Sequence, residues 1–310
     1  MSYEFVVDEN GNVMRPSERR IILITSSKEV DKEVNEMKEW IAFIPIYGQI
    51  KAAKEMTGKP FGVNIMLMSS HAAEVAKVVA EEGVPVVTTG AGNPSAYMEA
   101  WLNAGIKIIP VVASVAMAKL VTRAGASAVI AEGGESGGHV GDTTTMALVP
   151  QVCDATDLPV IAAVGIGDGR GVAAALMLGA SGVQMGTRFL VADECCVHSN
   201  YKEKILKATD ISTVVTGRKL GHPVRSLKTP FSRAYIKAEN DAGVSNEELE
   251  EMGVGSVRMA AIEGDANKGT FLSGQIAGMI KKTQPAAEII HEVFREAEEI
   301  LHGAEKWIMA

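Results

Sequence analysis

The sequence predicts an α/β fold of the TIM (β/α)8 barrel class, with a cap or lid region inserted near the C-terminus. Apolar, β-branched runs recur at intervals of roughly 20–30 residues, and helical stretches separate them. After Phe189 the rhythm gives way to polar, charged sequence, which marks the insertion.

The N-terminal EFVVDENGNVM carries a hairpin signal at Asn10–Gly11. IILITSS (Ile21–Ser27) reads as a strand and KEVDKEVNEMKEW (Lys28–Trp40) as a helix. IAFIPIYG (Ile41–Gly48) reads as a second strand despite Pro45, and QIKAAKEMTG as a helix that stops at Gly58. FGVNIML, VPVVTTG, IKIIPVVAS, SAVIAEGG, LPVIAAVGIG and SGVQMGTRF follow as buried strands; with the two earlier candidates they reach the count of a TIM barrel. A doubly wound sheet is the structural rival, but it usually needs fewer units. GTFLSGQIAGMI and PAAEIIHEVFREAEEILHGAEKW read as closing helices. The expected organisation is a barrel over 1–190 with an atypical segment 1–50, a cap over 191–265, and C-terminal helices over 266–310 that pack back on the barrel.

The bulk properties narrow the class. A chain of 310 residues with 47% hydrophobic content buries a sizeable core. Its net charge of −8 argues against nucleic-acid or membrane partners. No signal-like N-terminus or run long enough for a bilayer is visible, and the three cysteines have neither zinc nor disulfide-framework spacing. A cytoplasmic enzyme without a metal is the expectation.

In such a barrel the chemistry sits on loops after the strands. Those positions carry Asn64; Thr88, Thr89 and Gly90; Ser114; Glu132, Gly137, Gly138 and His139; Gly165, Gly167 and Gly169; and Gln184, Gly186 and Thr187. Glycines after the last two strands offer backbone N–H groups to a phosphate. In AEGGESGGHVG, His139 is the side chain able to exchange a proton near neutral pH. Glu135 either lends charge to the chemistry or braces the loop, and bracing has the stronger ground. His222 either touches substrate from the cap or lies in a solvated loop. His71, His198, His291 and His302 read as surface. Residues alone lead to a phosphorylated cofactor or substrate at the barrel mouth.

KPFGVNIM, VVTTGAGNPSAYME, AVIAEGGESGGHVG, LPVIAAVGIGDG, LGASGVQMGTRF, HSNYKEKILKA, LGHPVR and SGQIAGMI together resemble the flavin-dependent enoyl-acyl-carrier-protein reductases, type II, within the nitronate monooxygenase-like superfamily. The likeness runs from about Lys59 to the C-terminus. It implies FMN held by Asn64, Glu132, Gly137, Gly165, Gln184, Met185, Gly186 and Thr187, with His139 as the catalytic histidine. It also implies NADH as electron donor, an acyl-carrier protein bearing the enoyl chain as partner, and a homodimer. Nitronate monooxygenase chemistry with O2, or a flavin-less barrel, are the alternatives. Two departures stand out. Residues 1–50 lack the family's glycine motifs, and Val164 stands where the family has glycine, so a Cβ would crowd that loop if the position needs positive φ.

Overall fold

The computed structural model describes residues 43–304. The hairpin at Asn10–Gly11, the strand Ile21–Ser27 and the helix Lys28–Trp40 therefore lie outside the described residues. Helix α1 (Phe43–Met56) opens the described chain. The expected strand Ile41–Gly48 is thus corrected to a helix where it is described. Proline lacks an N–H, but Pro45 falls in the first turn, where that donor has no intrahelical acceptor anyway.

From there the six later strands fall where the apolar runs put them. They are β1 (Gly62–Met66), β2 (Val86–Gly90), β3 (Lys107–Val112) and β4 (Val129–Glu132), with α2 (Ala72–Glu81), α3 (Ser95–Asn103) and α4 (Val115–Arg123) between them. A two-residue strand β5 (Gly138–His139) precedes α5 (Thr145–Cys153), β6 (Val160–Ala163), α6 (Gly169–Met177) and β7 (Gly182–Gln184). Among the described residues the main sheet runs β1-β2-β3-β4-β6-β7, and its first pairs are parallel. The order never reverses, as in the wall of a barrel and unlike a doubly wound sheet.

The chain divides into two compact units. The first takes in the described residues up to Ala131, with Leu148–Ala162 and Gly179–Gly182. Its strands are buried on both faces: Val86, Val87, Ile108, Ile109, Val129 and Ile130 are shielded from solvent, which is why they read as unbroken apolar runs. Trp101 of α3 is fully buried, and its indole N–H donates to the Ala76 carbonyl of α2 at 3.0 Å.

The second unit takes in Glu132–Ala147, Ala163–Leu178 and the described residues from Val183 on. It contains α7 (Ser199–Leu206), β8 (Thr213–Thr216), β9 (Val224–Leu227), α8 (Pro230–Glu239), α9 (Asn246–Gly253), α10 (Ser256–Arg258) and α11 (Ala286–His302). Its core gathers Tyr201, Ile205, Leu227, Ala260, Phe271 and Ile280, with the Tyr201 hydroxyl donating to the Leu272 carbonyl at 2.6 Å. β5, β9 and β8 form an antiparallel ribbon in which His139 faces Val224 and Gly138 faces Arg225.

The expected helix GTFLSGQIAGMI is corrected. Only Gln275–Met279 coils, as a short 3-10 turn. The preceding backbone serves other elements: the Phe271 carbonyl accepts from Leu227 N–H, and Gly274 N–H donates to Thr187 Oγ1.

Candidate active site

Strand β4 ends at Glu132, whose partly buried carboxyl is pushed up to about 7, chiefly by burial and against a weaker opposing bond from Ser136. Near neutral pH that carboxyl exists in both forms. The loop then turns through Glu135 and enters β5. Gly137 is required here by close approach, because a Cβ would sit 2.7 Å from the Ser273 backbone.

His139 is exposed on the ribbon, and its backbone position is set by register with β9 and by Val140 N–H donating to the Pro223 carbonyl. Local desolvation, then the nearby His222 imidazole, hold its pKa below the ordinary histidine value. A neutral ring at pH 7 keeps one N–H to donate and one nitrogen to accept. Arg225, opposite Gly138, donates through Nη2 to the Gly134 carbonyl at 3.0 Å and anchors the loop's first half.

Within the second unit a ring of bonds brings the expected loops together. Gly133 N–H donates to the Ala163 carbonyl and Val164 N–H to the Gln184 carbonyl, both at 3.4 Å. Thr187 Oγ1 then accepts from Gly274 N–H at 2.8 Å, and Gln275 N–H donates to the Glu135 carbonyl at 3.0 Å. The segment Ser273–Gln275 closes this ring. The pattern there reads as helix; its one glycine was the available signal, since Gly274 packs against Glu135 and Thr187.

The expected ligands differ in what they can offer. Gly137, Gly165 and Gly186 are exposed, so their backbones are open to a ligand. Gln184 Oε1 is buried with no protein partner. Met185 is buried, and the buried Thr187 hydroxyl already accepts one bond. Asn64 and Thr88 belong to the first unit: they are register partners in β1 and β2, and Asn64 Oδ1 accepts from Thr88 Oγ1 at 2.9 Å. Ser114 caps α4 by accepting from Met117 N–H. Gly169 serves packing: its N–H donates to Glu296 of α11 at 2.9 Å, and a Cβ there would collide with that residue.

Val164 adopts φ +73°, in the left-handed region that β-branched residues rarely enter. The position does require positive φ, and valine holds it under strain.

The family model for nitronate monooxygenase matches residues 45–296. The chain belongs to the nitronate monooxygenase family. FabK from Thermotoga maritima has 49% identity and a TM-score of 0.83, covering 88% of this chain and 86% of that one. A 5-hydroxy-7a-methyl-1-oxo-octahydro-1H-indene-4-carboxyl-CoA dehydrogenase of Mycobacterium tuberculosis is 33% identical over 80% of this chain and 81% of its own. A probable nitronate monooxygenase of Staphylococcus saprophyticus is 35% identical over 73% of this chain and 66% of its own. As a member of this family the chain is a flavin-dependent oxidoreductase with an α/β barrel fold. The site suits a flavin: open glycine backbones and the unpartnered Gln184 Oε1 offer the donors and acceptor that a polar heterocycle and a phosphorylated tail need. No helix among the described residues is long and apolar enough to cross a membrane.

Proposed function

We propose that this chain reduces trans-2-enoyl thioesters, carried on an acyl-carrier protein, with NADH and FMN. The observation that carries the reading is the likeness to FabK, which suggests an enoyl-acyl-carrier-protein reductase, at 49% identity against 33–35% for the relatives named above as dehydrogenase and monooxygenase. By its name the M. tuberculosis relative also acts on a thioester, of coenzyme A.

Gly137, Gly165, Gln184 and Gly186, with Glu132 beside them in sequence order, would hold FMN in this unit; Met185 contributes main chain and Thr187 its hydroxyl. FMN, when bound, supplies hydride transfer between NADH and the substrate's β-carbon. After hydride addition, negative charge develops on the thioester oxygen and a proton must reach the α-carbon. A neutral His139 suits this step: its N–H can stabilise that oxygen, while a water accepted by or ordered beside the ring supplies the α-carbon proton and leaves as hydroxide that solvent neutralises. The ribbon holds the imidazole at a solvent-facing position, where substrate can reach it.

Nitronate oxidation is the second reading, favoured by the family model and the staphylococcal relative. Purified, FMN-loaded protein given NADH and a crotonyl thioester distinguishes them. The proposal expects NADH oxidation stoichiometric with thioester reduction. Turnover of an alkyl nitronate with O2, and no thioester-dependent NADH oxidation, would reject it.

A further inference from the structure

Three parts of the second unit meet at the carboxylate of Glu135. Its Oε1 and Oε2 accept from Thr145 N–H at 3.0 and 3.1 Å, and Oε2 accepts from Thr145 Oγ1 at 2.8 Å. The same carboxyl faces Gly165, whose Cβ position lies 3.5 Å from Glu135 Cδ and Oε1. Thr145 Oγ1 also sits 3.3 Å from the carbonyls of Ala163 and Val164. A hydroxyl has one proton, so Oγ1 donates to one of these acceptors at a time, with the shorter bond to Glu135 favoured and the two carbonyls as its longer alternatives. Arg225 completes the arrangement with its bond to the Gly134 carbonyl, and its charge acts on Glu135.

The left-handed Val164 needs such a clamp. A strained non-glycine backbone persists only where its surroundings over-determine it. Val164 N–H is tied to Gln184 at the long distance of 3.4 Å, while its carbonyl packs on the hydroxyl that Glu135 immobilises. We infer that Glu135 is a positioning residue: through Thr145 it locks the strained Val164–Gly165 pair and the His139 loop in the geometry that receives the flavin. The inference rests on the flavin site of the proposed function and needs neither its electron donor nor its substrate.

The test is FMN affinity, read by flavin fluorescence on apo protein, together with the visible spectrum of the bound flavin. Glu135→Ala should weaken FMN binding by about 5- to 100-fold, the scale of the backbone strain it leaves unsupported. Glu135→Gln, which still accepts from Thr145 N–H, should stay within about 3-fold of the parent, because the role is geometric. Val164→Gly placed in the Glu135→Ala background should recover most of the loss, since glycine holds positive φ without a clamp. If Glu135→Ala yields no soluble protein, Thr145→Val makes the same cycle with Val164→Gly. Additive effects in the cycle, an unchanged affinity in Glu135→Ala, or a Glu135→Gln as damaging as alanine would each overturn the inference. Because FMN binding uses no NADH or thioester, failure here is separable from failure of the reductase reading.

Discussion

The sheet of the first unit and the ribbon of the second are built on opposite principles. The sheet is shielded on both faces, and β2 presents Val86, Val87, Thr88 and Thr89 with almost no exposure. The ribbon pairs a two-residue strand with two four-residue strands that are half-buried or buried. Its alignment depends on Pro223, Val224 and Arg225 meeting Gly138–Val140. The difference teaches how each part is held: buried apolar area holds the sheet, whereas hydrogen bonds and close glycine contacts hold the candidate site residues.

The largest effect should come from the sheet side. Trp101→Ala removes a fully buried indole and its bond to Ala76, and should destabilise the protein by about 3–5 kcal/mol in urea unfolding. Folded variant should keep the parent's kcat/KM with enoyl thioester. A selective loss of activity with stability intact would break the contrast.

Glu132, at the end of β4 but within the second unit, sharpens the contrast. Its folded-state pKa is raised, so below about pH 4.5 both states are protonated and nothing is lost. As pH rises toward 7 the unfolded carboxyl ionises first, and the folded state loses up to about 3 kcal/mol. In protein stripped of flavin, Glu132→Gln should therefore stabilise at pH 8 and have no such effect at pH 4. A stabilisation independent of pH would show that burial of the charge is not the cause.

The smallest effect concerns Val164. Glycine relieves positive-φ strain but also frees the unfolded chain, so Val164→Gly should gain about 1–2 kcal/mol in thermal or urea unfolding. It should also bind FMN more tightly than the parent. A loss on both measures would mean that valine's packing outweighs its strain.

How much could be read from the sequence follows the same division. The six later strands were legible because burial on both faces leaves a run of apolar, β-branched residues that needs no periodicity to be seen. Gly137 and His139 were legible as a glycine-rich loop with one titratable ring. The ribbon was not: TVVT and VRSL are too short and polar to stand out, and their partner lies far back in the chain. Helix α1 was misread because Pro45 argues against a helix interior but not against a first turn. Gly167 and Gly169 pointed to a phosphate, yet Gly167 packs on Ile276 and Met279, and Gly169 on α11. Glycine marks close approach without saying whether a ligand or another helix is approaching.

His139 tests the account most directly. In a folded, FMN-loaded His139→Ala variant, NADH oxidation by an artificial acceptor should persist, because hydride transfer to flavin needs no acid from this ribbon. Reduction of the enoyl thioester should fall in kcat by about 10²–10⁴, the range for a lost proton donor. A loss confined to KM would make His139 a binding residue alone. Thioester reduction at the parent rate, with flavin fully bound, would contradict the central claim that the β5–β9 ribbon exists to present this imidazole to the substrate.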